Sequence, residues 1–235
     1  MATMTRLALA STLLLLLVPV SADASHSQHV MSANSRSSRG TVSDVRDELV
    51  KAEIIPTVID DFVPSLLLQA SWSAHDQTQL GNTLKPADLK DAPALIIANP
   101  SDGPAKKASL VIALTDPDAP SRNDPKWSEF CHWIATAPAP DLDDATGEML
   151  HLRALNDVVE YKPPAPPEKT GKHRYVFLAF VAANGTEEVL HPSKPGARKH
   201  WGYDGDEVRG VRQWAGENGL VPVAANFIYA QNDQQ

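Results

Sequence analysis

Leu110-Val111-Ile112-Ala113-Leu114-Thr115-Asp116-Pro117-Asp118-Ala119-Pro120 is the stretch on which the fold turns. Its five leading residues are apolar without alternation and too short for a surface helix. They read as a strand covered on both faces. Pro117 cannot donate to a ladder, so the strand ends before it. Tyr175-Val176-Phe177-Leu178-Ala179-Phe180-Val181 has the same character. Phe130 to Ala135 is a third strand candidate. Val63 to Trp72, Leu95 to Ala98 (closed by the Asn99-Pro100 turn signal) and Phe227-Ile228-Tyr229 complete the set. Helical spacing shows in two places. Val42, Val45, Leu49 and Ala52, with Ser43 as N-cap, form a helix ending before Pro56. Val208, Val211, Trp214 and Ala215 form a second, stopped near Gly216 or Gly219. The sum is a mostly β fold with peripheral N- and C-terminal helices.

Composition agrees. The chain has 235 residues, 43% hydrophobic and 21% charged, enough for one domain with its own core. Its 19 prolines against 12 glycines favour a loop-rich β architecture over a helical bundle. A net charge of −8 argues against nucleic-acid binding, which wants a basic stripe. The single cysteine excludes an internal disulfide framework and a Cys-rich zinc site.

The first residues read as a targeting segment. Arg6 precedes an apolar run from Leu7 to Val18, and small residues follow at Ala22-Asp23-Ala24. That is the pattern of a secretory signal peptide over residues 1–24, cleaved after Ala22 or Ala24. The competing reading, an uncleaved anchor, needs roughly 20 apolar residues to span a bilayer. Residues 25–40 are rich in Ser, His, Asn and Arg and read as a disordered leader. A single domain over 41–235 follows, without a transmembrane segment, in the secretory pathway and destined for the vacuole or the exterior. Asn184-Gly185-Thr186 is then a usable glycosylation sequon, although Asn-Gly also reads as a hairpin turn.

Polar residues at the strand ends need explaining. Asp116 and Asp118 are two apart and project alike from an extended chain. Two carboxylates there need donors or a cation, and Asp-Pro turns supply donors locally. Gly171-Lys172-His173-Arg174-Tyr175 opens the other strong strand, with His173 and Tyr175 on one face and Arg174 on the other. Arg174 at the edge of a core calls for a buried carboxylate, Asp118 or Asp116. His132 lies inside the apolar Phe130-Cys131-His132-Trp133. Two histidines, two aspartates and a tyrosine on or beside buried strands mark a site.

Its chemistry narrows by elimination. Short-spaced metal-binding histidines are absent, as are a P-loop, a G-x-G-x-x-G and a G-x-S-x-G elbow. Cys131 and His132 leave a strand from opposite faces and cannot form a dyad. A polar pocket remains that can hold a small anion or carbonyl-bearing group, with carboxylates favouring charged imidazoles. Binding is favoured over turnover, and no cofactor is implied.

At these residues the chain resembles the phosphatidylethanolamine-binding protein family. The carriers are Asp116-Pro117-Asp118-Ala119-Pro120 through Trp133 and the block Gly171 to Phe180. Lys126 to His132, Pro164 to Pro167, Trp201 to Gly205 and Val223 to Ala230 resemble its fungal carboxypeptidase Y inhibitor branch. The resemblance implies a large antiparallel sheet packed on a smaller one. It also implies a shallow anion pocket formed by Asp116, Asp118, Trp127, Phe130, His132, Pro166, Pro167, His173 and Tyr175, with Arg174 serving structure. Ala165 stands where many relatives have glycine, which is expected to narrow the pocket mouth. The implied ligand is a phosphate-bearing headgroup or small anion, and the implied partner a serine carboxypeptidase. Family members mostly act as binders and regulators of proteases or kinases, so the resemblance implies a protein that is not an enzyme. The branch also acts through its N-terminal segment, where this chain carries a signal peptide and leader instead.

Overall fold

The computed structural model describes residues 41–100, 108–139, 149–201 and 210–235. The expected signal peptide, leader and Val208 lie outside these residues. Among the described residues, eight strands and a short 3-10 helix (Pro86–Asp88) lie between two α-helices, and a ninth strand follows the second. The strands and α-helices are α1 (Val42–Lys51), β1 (Leu67–Ser71), β2 (Asn82–Thr83), β3 (Ala94–Ala98), β4 (Leu110–Asp116), β5 (Phe130–Ala137), β6 (Met149–His151), β7 (Asn156–Val159), β8 (His173–Ala182), α2 (Gly210–Glu217) and β9 (Leu220–Ala230). The large sheet has six strands in the order β2-β9-β8-β4-β5-β7, and the small one has three, β1-β3-β6. All pairs are antiparallel except the two-residue β2 on β9.

The large sheet is covered on both faces, which is why β4 and β8 read as unbroken apolar runs. On one face Val111, Ala113, Val176, Leu178 and Phe180 meet Val45 and Leu49 of α1 and Val211 and Trp214 of α2. On the other, Ile112, Leu114, Phe177 and Ala179 meet Leu68, Leu95 and Ile97 of the small sheet. Asn226 of β9 stitches the layers: its amide donates to Leu68 O at 2.8 Å, and its oxygen accepts from Leu80 N–H at 2.9 Å.

Local chemistry moved several boundaries. Thr41, not Ser43, caps α1. Its hydroxyl accepts from Asp44 N–H, and the Asp44 carboxylate accepts from Thr41 N–H at 2.6 Å, a capping box written T-x-x-D. β1 starts at Leu67 rather than Val63. Before it, Ser65 and Leu66 both donate to Val223 O instead of joining a ladder. β9 runs eleven residues, far longer than Phe227 to Tyr229. Pro222 is tolerated inside it because the ladder skips Val223 there, from Ala179–Ala224 to Phe180–Pro222. Asn184-Gly185 is a turn but not a two-residue hairpin. The chain leaves β8 there and returns as β9 only after α2.

Candidate functional site

Three neighbouring strands end together, and each sends polar side chains to the face shared with the small sheet. Asp116 closes β4, Phe130 and His132 open β5, and His173 and Tyr175 open β8. His132 reaches this face through a bulge. Leu114 pairs with Trp133 and Thr115 with Cys131, so His132 has no β4 partner. Cys131 and Ile134 then pack under the helices while Trp133 faces the small sheet beside His132. Four rings form a row across the floor. Centroids are 4.9 Å apart for Phe130–His132, 5.1 Å for His132–Tyr175 and 6.3 Å for Tyr175–His173. The β4–β5 loop brings Trp127 to the same cavity, its backbone N–H donating to Ala119 O at 2.9 Å.

The result is a cavity of ≈ 160 Å³. Eight of the nine expected pocket residues line it: Asp116, Trp127, Phe130, His132, Pro166, Pro167, His173 and Tyr175. The ninth, Asp118, does not. Its oxygens are taken by Arg174, with Nε to Oδ2 at 2.9 Å, Nη2 to Oδ1 at 2.6 Å and the backbone N–H to Oδ2 at 2.8 Å. The Arg174 Nη1 donates to the carbonyls of Ala52 (3.0 Å) and Glu53 (2.9 Å), which end α1. Asp118 and Arg174 therefore anchor the helix layer to the sheet, on the far side from the cavity.

The polar atoms of the floor satisfy one another. Asp116 accepts from Asp118 N–H at 2.7 Å and pairs with His173 Nδ1 at 2.9 Å. Thr170 donates its hydroxyl to Pro167 O at 2.8 Å and contacts His173 Nε2 at 3.0 Å. Both His173 nitrogens are thus occupied. Thr170, His173 and Asp116 form a chain like that of a hydrolase, but the threonine hydroxyl is spent on Pro167 and does not line the cavity. His132 Nδ1 lies 2.7 Å from Lys162 O, and only an N–H binds a carbonyl. Nε2 of the neutral ring is then an acceptor.

Charge at the floor differs from the sequence expectation. Burial holds the His132 imidazole down at about 4, outweighing the pull of Asp116, and Arg198 and Lys162 add to the depression. The expectation that carboxylates keep this ring charged is therefore reversed. Burial also raises the Tyr175 hydroxyl well above its ordinary range. Beneath the site, burial pushes the Glu129 carboxyl up to about 8 and the Cys131 thiol up to about 12. Among the described residues no three His, Cys, Asp or Glu side chains could hold a metal ion.

Sequence reasoning missed two cations. Lys162 and Lys199 line the cavity, and Lys199 Nζ stands 3.8 Å from the Trp127 ring centroid. Neither belongs to a periodic segment. Lys199 arrives because an isolated bridge pairs it with Phe130, a contact no local pattern encodes.

The chain belongs to the phosphatidylethanolamine-binding protein family, whose model matches residues 74–228. The carboxypeptidase Y inhibitor of Saccharomyces cerevisiae is 35% identical over 209 residues, spanning 79% of this chain and 94% of that one. CEN-like protein 1 of Nicotiana tabacum is 32% identical over 81% of this chain and 95% of its own length. A crystal structure of carboxypeptidase Y inhibitor complexed with the cognate proteinase superposes with a TM-score of 0.67 at 33% identity, covering 81% of this chain and 96% of that one.

Proposed function

We propose that this protein inhibits a serine carboxypeptidase and is a binding protein rather than an enzyme. The observation that carries the reading is the 35% identity, over most of both chains, to a protein named for that inhibition. The arrangement at His173 supports the second half, since its hydroxyl neighbour is neither free nor turned to the cavity. The cavity is the ligand site, taking a small anion or a phosphate-bearing headgroup. The protein works in the secretory pathway, outside the cell or in the vacuole, after removal of residues 1–24 and with the Ser-rich residues 25–40 as a leader ahead of the domain. Among the described residues no helix is long and apolar enough to cross a membrane. Asn184 is exposed, and its Oδ1 accepts from Thr186 N–H at 3.0 Å, so its amide nitrogen is open to glycosylation.

The test is inhibition of a serine carboxypeptidase by the purified mature protein, with and without residues 25–40. Dose-dependent loss of peptide hydrolysis is expected. Full protease activity with a large excess of both forms refutes the inhibitor reading. It would favour a binder without a protease partner, the reading to which the leader ahead of α1 lends weight.

A further inference from the structure

A second cavity, of ≈ 280 Å³, lies where β5 meets the edge strand β7. Its walls are Cys131 of β5, Val159 of β7 and the loop Lys194-Pro195-Gly196-Ala197-Arg198. It shares no lining residue with the cavity at the strand ends. Strand alternation keeps the two apart: Cys131 and Val159 pack toward the helices, while His132 turns to the opposite face beside Tyr175.

No aromatic ring and no acidic side chain lines this second cavity, and its charged groups are two cations. Lys194 is exposed and Arg198 half-buried, and no carboxylate among the described residues pairs with either. That is unusual in a chain of net charge −8. Arg46, Arg122, Arg174 and Arg212 each meet an aspartate or glutamate. Arg198 is held by main-chain carbonyls instead. Its Nη1 donates to Cys131 O and His132 O, both at 3.2 Å, and its Nη2 to Glu160 O at 2.8 Å. These bonds fix the guanidinium in place but leave its charge without a counter-ion. Of its five N–H donors three are spent, so the Nε–H and one Nη2–H remain. Arg174 uses the same two nitrogens to grip Asp118. Beside Arg198, the N–H groups of Gly196 and Ala197 donate to no acceptor among the described hydrogen bonds.

We propose that this second cavity binds a small water-soluble oxyanion, a carboxylate or phosphate taken bidentately by Arg198 Nε and Nη2, with Lys194 as the second cation. A guanidinium already immobilised by carbonyls loses little freedom on binding, and its planar fork matches either group. The absence of ring surface leaves nothing for an aryl or acyl tail to pack on, so the site selects a free anion over a lipid. Carboxylate and phosphate share this chemistry, and citrate and inorganic phosphate are therefore compared directly.

The experiment is titration of the isotope-labelled mature chain with citrate, inorganic phosphate and glycerol, followed through the backbone amide resonances. Citrate or phosphate should shift Gly196 and Ala197 saturably, the tighter of the two naming the preferred group, while uncharged glycerol leaves both in place. Added sodium chloride should weaken the response. Lys194→Gln should weaken binding roughly two- to fivefold, the range of an exposed charge pair, and Lys194→Glu more. Arg198→Lys, which loses the fork, should weaken it by roughly tenfold. If Arg198→Lys melts early because the loop has lost its tie to β5, the two Lys194 variants decide, since that side chain is exposed. Shifts confined to residues of the strand-end cavity, such as His173 and Tyr175, overturn the proposal. So do an absence of shifts, an equal response to glycerol, or an anion affinity that Lys194→Glu leaves unchanged.

Discussion

Arg174→Ala should unfold the protein at a markedly lower temperature. The wild-type guanidinium is 6% exposed as a residue and makes four side-chain hydrogen bonds, two to Asp118 and two to the carbonyls that end α1. Asp118 is 1% exposed in the intact protein, and truncation leaves its carboxylate, among the described hydrogen bonds, with the Arg174 backbone N–H alone. Removing one partner of such a buried pair costs about 3–5 kcal/mol. For a domain of this size each kcal/mol lowers the midpoint by about 2–4 °C, so a fall of roughly 6–20 °C is expected. Differential scanning calorimetry at neutral pH reads it. The double variant Arg174→Met with Asp118→Leu should regain part of the loss, because it no longer strands a buried charge. The surviving folded fraction should bind cavity probes normally, since Arg174 lies on the opposite face from His173. A single-variant midpoint within about 2 °C of the parent refutes the anchoring role.

Three further outcomes follow from buried titratable groups. Glu129, raised to about 8 from an ordinary 4.5, keeps its proton in the folded state while the unfolded chain loses it. Stability therefore falls as pH rises between those values, by at most about 1.4 kcal/mol per unit, and denaturation of Glu129→Gln across pH 5–8 should lack that slope; identical slopes would falsify the assignment. His132, depressed to about 4 from 6.5, acts in the opposite sense: its contribution is complete above pH 6.5 and lost as pH falls to about 4. His132→Phe should flatten the acid limb of the melting curve, and an unchanged limb counts against it. Cys131, 0% exposed with its thiol pushed up to about 12, should resist a thiol reagent at pH 8 until denaturant is added. Labelling within minutes in buffer alone would contradict its burial.

The sequence made the central strands legible because both faces of β4 and β8 are covered, so hydrophobicity alone marks them. The short β2, β6 and β7 carry no such signal. Asn82 and Thr83 are strand only because β9 runs alongside. The long β9 hid behind Pro222 and Asn226, a proline excused by a bulge and a buried amide that joins two layers. At the site, alternation placed His173 and Tyr175 opposite Arg174 correctly, since period two is a local property. Arg174 meets a buried carboxylate as expected, Asp118 of the two named. What alternation could not divide was Asp116 from Asp118: past Pro117 the chain is no longer extended, so the pair splits between the cavity and the helix anchor. The charge of His132 was equally out of reach, because burial is a sum over neighbours that arrive from distant segments.

The placing of β9 bears on when the protein can acquire its shape. It comes last in chain order, yet it lies inside the large sheet between β2 and β8 and pairs with the whole length of β8. Synthesis delivers about 5–20 residues per second, so β8 waits roughly 2–10 s for a neighbour that emerges some 50 residues later. During that interval the apolar edge of β8, from Tyr175 to Phe180, has no strand on one side. A nascent chain cannot finish this sheet piecemeal, and ribosome-bound or C-terminally truncated forms should be held by chaperones or aggregate. For a chain threaded through a translocon the same order is an advantage, since the sheet cannot close before its last strand has emerged.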